Sequence, residues 1–469
     1  MPDRNDDVDA WLSQRIEPLP PPPGTFDLIK RRARRRKFRK LAITAGSAAV
    51  IVAAAVTVPQ VVNLPVLNPK PTAAPVAGDH NATTSQPASS SASGIASAAA
   101  SSAVPTGPTR LGPVPGNFRP TSVTFVGPRT GWVIGQALTP GHCATQFCTS
   151  VARTDDAGKT WTGVPAPMAG AADGASGLSQ IRFLDLTDGW AYGPQLFTTH
   201  TGGRTWAQVD TGGLRVTALE TVGDRVFAVW ASCTGDGPAY AAGCTRFTLY
   251  SASATGGTWA PVGASTTGLT NGAASEATQL VLTGSRGYLL APGAELYSGP
   301  VDGSGPWTRV SSLVASCPVG PARADGQPTG ALLGAVNASD LLLACASASS
   351  GTNPSVSTQQ KFIYSSKNGG VSWEQMATAP AAGVAYGLAA SPSESVVLAT
   401  NRGIDLLPAG EATWRTANLR GGGPAGGFGY IGMTTRDQGI ALPADPSAGT
   451  VWFTFDGGQR WTASRLNGS

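Results

Sequence analysis

Seven tryptophans, Trp161, Trp206, Trp259, Trp307, Trp373, Trp414 and Trp461, follow one another at intervals of 45, 53, 48, 66, 41 and 47 residues. A period near 50 residues carried by short strands and glycine turns predicts a β-propeller in which each repeat is one four-stranded blade. Four of the seven close a fuller motif: TDDAGKTW (154–161), THTGGRTW (199–206), SKNGGVSW (366–373) and TFDGGQRW (454–461). Its common form is Ser or Thr, any residue, Asp or a stand-in, any residue, Gly, any two residues, Trp. With 60 Gly, 37 Pro and charged residues at only 13%, the chain is rich in turns and poor in the residues long helices use.

The motif resembles the Asp-box, or BNR repeat, of sialidases and other propeller families. That resemblance implies a structural turn between the third and fourth strands of a blade. The carboxylate of Asp156 or Asp456 would accept backbone hydrogen bonds, with Asn368 doing so neutrally. Gly158, Gly203, Gly370 and Gly458 would take a conformation a Cβ hinders, and Trp161, Trp206, Trp373 and Trp461 would pack back into the blade. Thr201 stands at the Asp position of the second repeat and Ala254 at that of the third, which predicts weaker braces there.

A second signature precedes the box. VTFVGPRTGW (123–132) and IRFLDLTDGW (181–190) alternate apolar residues, turn, and restart on Gly-Trp, as the two strands of a hairpin do. Degenerate copies follow from Leu280 and Tyr430. Hairpin and box together are similar to the photosystem II stability and assembly factor family, which implies an all-β, seven-bladed propeller. The expected domain spans 117–466, long enough to bury a large core distributed between neighbouring blades.

The preceding residues have another character. Lys30 to Lys40 carries nine basic residues in eleven and runs into the uncharged apolar segment 41–62. That length suits one transmembrane helix, and the basic flank predicts an N-inside, C-outside signal anchor after a cytoplasmic tail, 1–40. Cleavage near Ala53 to Ala55 and secretion is the alternative, and RRKFRK (35–40) also resembles the twin-arginine export consensus. Residues 1–40 hold 11 Lys and Arg against 6 Asp and Glu, so the rest balances at 22 and 22 and the net +5 lies in the leader. Beside an apolar span this charge implies membrane lipid as the partner of 30–62, and the neutral remainder excludes a nucleic-acid role. Residues 63–116, dominated by Pro, Ala, Ser and Thr, cannot bury enough surface to offset their ordering entropy and read as a disordered tether.

Six cysteines fall in adjacent pairs: Cys143 with Cys148, Cys233 with Cys244, Cys317 with Cys345. Beyond a membrane they predict three local disulfides. A metal site would need histidines, and only His80, His142 and His200 exist. No metal or other cofactor is expected.

Sialidases also need an arginine triad, a Tyr and Glu pair and an Asp acid. Arg119 in FRP is the nearest match to their first arginine, and its ordinary reading is a solvated strand head. There is no GxSxG elbow, GxxxxGK[ST] loop or HExxH. Asp185, Asp188, Glu220 and Asp224 are candidate paired carboxylates only permissively, exposed turn residues being the ordinary reading. The expectation is a membrane-anchored extracytoplasmic scaffold binding protein or cell-wall polysaccharide. The alternatives are a cell-surface glycoside hydrolase, and a transmembrane sensor signalling through the tail around Trp11.

Overall fold

The computed structural model describes residues 52–53, 111–138, 147–170, 177–233, 244–262, 278–291, 295–312, 317, 331–347, 357–392 and 394–466. They form seven antiparallel sheets, each with four strands from one continuous stretch of chain. Blade 1 comprises Arg119–Phe125, Gly131–Leu138, Phe147–Thr154 and Thr162–Val164; blades 2 to 7 occupy 180–208, 215–261, 279–312, 331–379, 385–416 and 428–465. Blade 7 gains Asn418–Leu419 on its outer edge, parallel to Arg460 and Trp461, and Val52–Ala53 on its inner edge, opposite Met433 and Gly432.

The hairpin signature builds the two inner strands. Phe125 is opposite Gly131 and Thr124 opposite Trp132. The Phe125 ring lies across Gly131, where an added Cβ would stand 2.5 Å from it, and Phe183 covers Gly189 at the same spacing. The glycine before each Trp is thus the floor on which an aromatic of the first strand rests, freeing the Trp to turn to the other face of the sheet.

Hydrophobic residues gather in seven clusters, and each joins two neighbouring blades. The seventh closes the ring: Phe118, Phe125 and Val133 of blade 1 and its lead-in pack on Ile440, Leu442 and Phe453 of blade 7. Phe125 meets Phe453 edge to face at 5.8 Å. Across the same joint Trp161 donates its indole N–H to Ser464 Oγ at 3.0 Å, and Gln438 donates to the Pro128 carbonyl at 2.9 Å. Among the described residues blades 1 and 7 exchange no strand, and side chains make the joint between them.

Cys233 and Cys244 are bonded across adjacent strands of blade 3, and Cys317 is bonded to Cys345 on the second strand of blade 5. Cys148 is disulfide-bonded as well, while Cys143 lies outside the described residues. So do 1–40, 63–110, and all of 41–62 except Val52 and Ala53. Ahead of blade 1, Gly112 and Gly163 exchange two backbone hydrogen bonds at 3.1 and 2.8 Å. Among the described residues no helix is long and apolar enough to cross a membrane.

Gly158 supplies the test of the joint. Its φ is +80°, and a Cβ there would sit 2.3 Å from the Phe453 ring of the neighbouring blade. Left-handed backbone costs an L residue about 1–2 kcal/mol, and the overlap adds roughly 1–3 kcal/mol. Gly158→Ala should therefore lower the unfolding free energy by about 2–5 kcal/mol. Gly212→Ala, with φ +61° but nothing within 4 Å, should lose only the backbone part. Denaturant midpoints of the two variants decide it; equal losses would remove the inter-blade contact from the account.

Candidate functional site

The four complete boxes lie between the third and fourth strands of blades 1, 2, 5 and 7. In blade 1, Thr154 Oγ1 accepts the Gly158 amide at 2.9 Å and donates to Asp156 Oδ1 at 2.8 Å. Asp156 Oδ1 accepts the Thr160 amide at 2.9 Å and Oδ2 the Thr160 hydroxyl at 2.6 Å. Asp456 takes the Arg460 amide at 2.9 Å and the Thr454 hydroxyl at 2.9 Å. Asn368 repeats the scheme without charge, accepting the Ser372 amide at 2.9 Å and donating to the Ser372 hydroxyl at 2.8 Å.

The brace expected to be weak in blade 2 is kept: Thr201 Oγ1 accepts the Thr205 amide at 2.9 Å and lies 2.9 Å from the Thr205 hydroxyl. A hydroxyl offers two lone pairs and a donor, enough for both bonds. Ala254 in blade 3 has no such atom, and its amide bonds the Asp224 carbonyl instead.

Trp461 and Trp206 donate to the carbonyls of their own box glycines, Gly458 at 2.9 Å and Gly203 at 3.2 Å, whereas Trp161 reaches Ser464 in blade 7. The Trp373 indole N–H is buried without a partner among the described residues. Burial opposes the Asp156 charge, but the hydrogen bonds from Thr160, Thr154 and Lys159 outweigh it and hold the carboxyl down at about 2.

A different group of side chains meets at the centre of the ring, where the inner strands converge. Arg182, on the inner strand of blade 2, donates from Nε to Glu220 Oε1 of blade 3 at 2.8 Å. Its Nη1 donates to Ser122 Oγ of blade 1 at 3.2 Å and to the Ile181 carbonyl at 2.8 Å. Its Nη2 is buried and has no hydrogen-bond partner among the described residues. Tyr430, on the inner strand of blade 7, lies within electrostatic reach of both charges. Burial pushes the Glu220 carboxyl up, to about 7, with Arg182 pulling the other way. Burial also works against the Arg182 charge, but Glu220, Tyr192 and Tyr430 more than offset it and raise its pKa further.

Glu220 is thus no exposed turn residue; it is 6% exposed and ion-paired. The other candidate carboxylates do not join it. Asp185 Oδ1 accepts the amides of Thr187 and Asp188, each at 2.7 Å, and closes its own turn. Asp188 Oδ1 stands 2.6 Å from His200 Nδ1, and Asp224 sits in the turn between the first two strands of blade 3. Arg119 is exposed at the head of its strand with its guanidinium 4.3 Å from the Phe147 ring centroid. Among the described residues no three His, Cys, Asp or Glu side chains gather as a metal would need.

Arg182 and Tyr430 were not singled out from the sequence. The one signal is a charged residue between the apolar Ile181 and Phe183, and nothing in the sequence brings it to blades 3 and 7.

No known family profile matches the chain, and no curated protein matches it. Among solved structures it is similar to YCF48 from Cyanidioschyzon merolae, at 11% identity and TM-score 0.41, over 62% of this chain and 85% of that one. A YCF48 bound to D1 peptide gives 15% identity and TM-score 0.38, over 62% and 81%. The GH74 xyloglucanase from Xanthomonas campestris gives 12% and 0.26, over 74% and 72%.

The two perturbed carboxyls predict opposite acid responses. Asp156, held below its unfolded value, contributes stability above about pH 4 that is lost as pH falls toward about 2. Glu220, raised, favours the folded state below its unfolded value near 4.5, and this is lost as pH rises through about 7. Asp156→Asn should be nearly neutral at pH 7, since Asn368 makes the same bonds, and should flatten the limb below pH 4. Its effect should stay near 1 kcal/mol, because solvent screens a partly exposed turn. Glu220→Gln should flatten the stretch from pH 4.5 to 7. Chemical denaturation from pH 2 to 8 separates the two windows, and an unchanged profile for either variant refutes its assignment.

Proposed function

We propose that the chain is a membrane-anchored, extracytoplasmic propeller that works as a non-catalytic binding or assembly scaffold for a protein or a cell-wall glycan. The observation that carries this reading is the inequality of the two faces. All box turns and inner hairpin turns lie on one face, and the connections 139–146, 165–179, 234–243, 262–278, 313–330 and 347–360 all join strand ends on the other. The disulfides Cys233–Cys244 and Cys317–Cys345 tie down that same face. Long connections between strand ends on one face of a rigid ring suit recognition.

Anchoring rests on 41–62 and its basic flank. The pairing of Val52 and Ala53 with blade 7 does not weigh against it. A two-residue ladder contributes about 1–3 kcal/mol, and hydrocarbon burial gains about 0.8 kcal/mol for every CH₂ group. Export places the cysteines in an oxidising compartment, and 63–110 provides the spacer.

One observation favours hydrolysis as a second reading: Arg182, Glu220 and Tyr430 form a grouping of the kinds of residue a sialidase-like site needs. Against it, Glu220 is committed to Arg182, and no second carboxylate described here stands with it.

Binding of the full chain to cell-wall glycans and membrane proteins, measured by affinity capture, tests the scaffold. Cys233→Ser with Cys244→Ser should weaken capture at least fivefold, while Leu186→Ser and Phe455→Ser, exposed on the box face, should leave it unchanged. Capture lost through the box face alone, or release of product from chromogenic glycosides that Glu220→Gln abolishes, would overturn it.

A further inference from the structure

Blade 5 carries Asn368 where blades 1 and 7 carry the box Asp, and the residue after it is Gly369. An Asn–Gly step is the sequence most open to deamidation, because no side chain on the glycine hinders attack of its nitrogen on the asparagine side chain. Asn368–Gly369 is the one such step among the described residues. Asn368 is exposed, so water reaches it, whereas Gly369 is buried.

The step is restrained by a bond common to all four boxes. The amide that follows the Asp position donates to the hairpin turn of the same blade: Ala157 to the Arg129 carbonyl at 2.9 Å, Gly202 to Thr187 at 2.8 Å, Gly369 to Ser339 at 2.8 Å and Gly457 to Asp437 at 2.9 Å. In blade 5 this commits the nitrogen that would attack. The target is committed as well: Asn368 Oδ1 accepts the Ser366 hydroxyl and the Ser372 amide, each at 2.9 Å, and Nδ2 donates to the Ser372 hydroxyl at 2.8 Å. Asn337 steadies the facing turn, its Oδ1 accepting the amides of Ser339 and Asp340, each at 2.9 Å. Reaction therefore requires the box to leave its hairpin turn, which is a local opening of the native state.

The hydrolysed product fits the same place. Asp156 and Asp456 each accept the Thr hydroxyl two residues before and the amide four residues after, the bonds that Asn368 makes with its Oδ1. Aspartate at 368 would keep both and offer Oδ2 to the Ser372 hydroxyl, as Asp156 Oδ2 does to Thr160 at 2.6 Å. Isoaspartate would not, because it adds a CH₂ to the main chain of the turn.

We propose that Asn368–Gly369 is a deamidation site gated by the fold: it reacts only while the blade 5 box is open, and the aspartate that results rebuilds the box in charged form. The Gly369 nitrogen attacks Asn368 Cγ and an N–C bond forms, while Nδ2 leaves as ammonia with the Gly369 proton. Water then opens the cyclic imide at one of its two carbonyls, giving aspartate or isoaspartate.

The test follows Asn368 in the full chain by mass spectrometry of the tryptic peptide that begins there, in native buffer and in urea beyond the unfolding midpoint. The native rate should be at least tenfold below the rate in urea. Asn337→Ala loosens the turn that carries Ser339 and should raise the native rate at least threefold, with circular dichroism confirming the native sheet. After ageing in urea and refolding, the aspartate form should be recovered folded, and isoaspartate should be at least fivefold enriched in the fraction that fails to fold. Asn368→Asp, made directly, should keep the parent's denaturant midpoint at pH 7. The proposal is overturned if native and urea rates agree within twofold, if Asn337→Ala leaves the native rate unchanged, if isoaspartate refolds as readily as aspartate, or if Asn368→Asp loses the native fold.

Discussion

Everything in this structure hangs on the contact between one blade and the next. A sheet of four strands, the outermost of them two or three residues long in most blades, cannot bury both of its faces and does not stand alone. Its neighbours supply what it lacks. Trp132 of blade 1 stacks on Phe183 of blade 2 with ring centroids 3.8 Å apart, and its indole N–H reaches the carbonyl of Gly202 inside the next box at 3.2 Å. Tyr288 plays the same part between blades 4 and 5, donating to the Ala338 carbonyl at 2.6 Å. Phe453 lies over Gly158, and Leu296 over Gly370, where a Cβ would approach to 2.4 Å. The hairpin motif of one repeat therefore ends against the turns of the next, and the two sequence signatures are the halves of a single joint.

Polar side chains serve the same joints nearer the axis. Gln279 of blade 4 receives the Leu333 amide of blade 5 at 2.8 Å, extending the hydrogen bonding of one inner strand onto another. Lys361 is fully buried, yet its ammonium donates to the carbonyls of Gln359, Ala382 and Gly383 at 3.0, 3.3 and 2.8 Å. Burial pulls its pKa down to about 8, against the attraction of Asp405. These groups are satisfied, as buried polar groups must be. Arg182 Nη2 differs in having no hydrogen-bond partner among the described residues, as do the indole N–H groups of Trp230, Trp373, Trp414 and Trp452.

The boxes and hairpins were legible in the sequence because they are local. Thr154, Asp156, Gly158 and Trp161 lie within eight consecutive residues, and their hydrogen bonds close inside that span. The strand count and the cysteine pairs at 233 and 244 and at 317 and 345 follow from the same short-range grammar. At the Asp position of blade 2 the Thr201 hydroxyl makes the two bonds to Thr205 that the sequence pattern, read through Asp and Asn alone, does not credit to it. Glu220 was misplaced for a deeper reason. Its partner Arg182 is 38 residues away in another blade, Ser122 is 60 residues from Arg182, and Tyr430 comes from the last blade. Only the closed ring brings them together, and no spacing in the sequence records it.

The central claim is that packing between neighbouring blades holds the ring, the joint between the first and last blades, made by side chains among the described residues, being no weaker than the rest. Native-state hydrogen exchange tests it most directly. The amides of Gly158 and Thr160 in blade 1 and of Gly458 and Arg460 in blade 7 should exchange at the same free energy as those of Gly370 and Ser372 in blade 5, through unfolding of the whole ring. Earlier exchange of blades 1 and 7 together, with blade 5 still protected, would show an open seam and contradict the account.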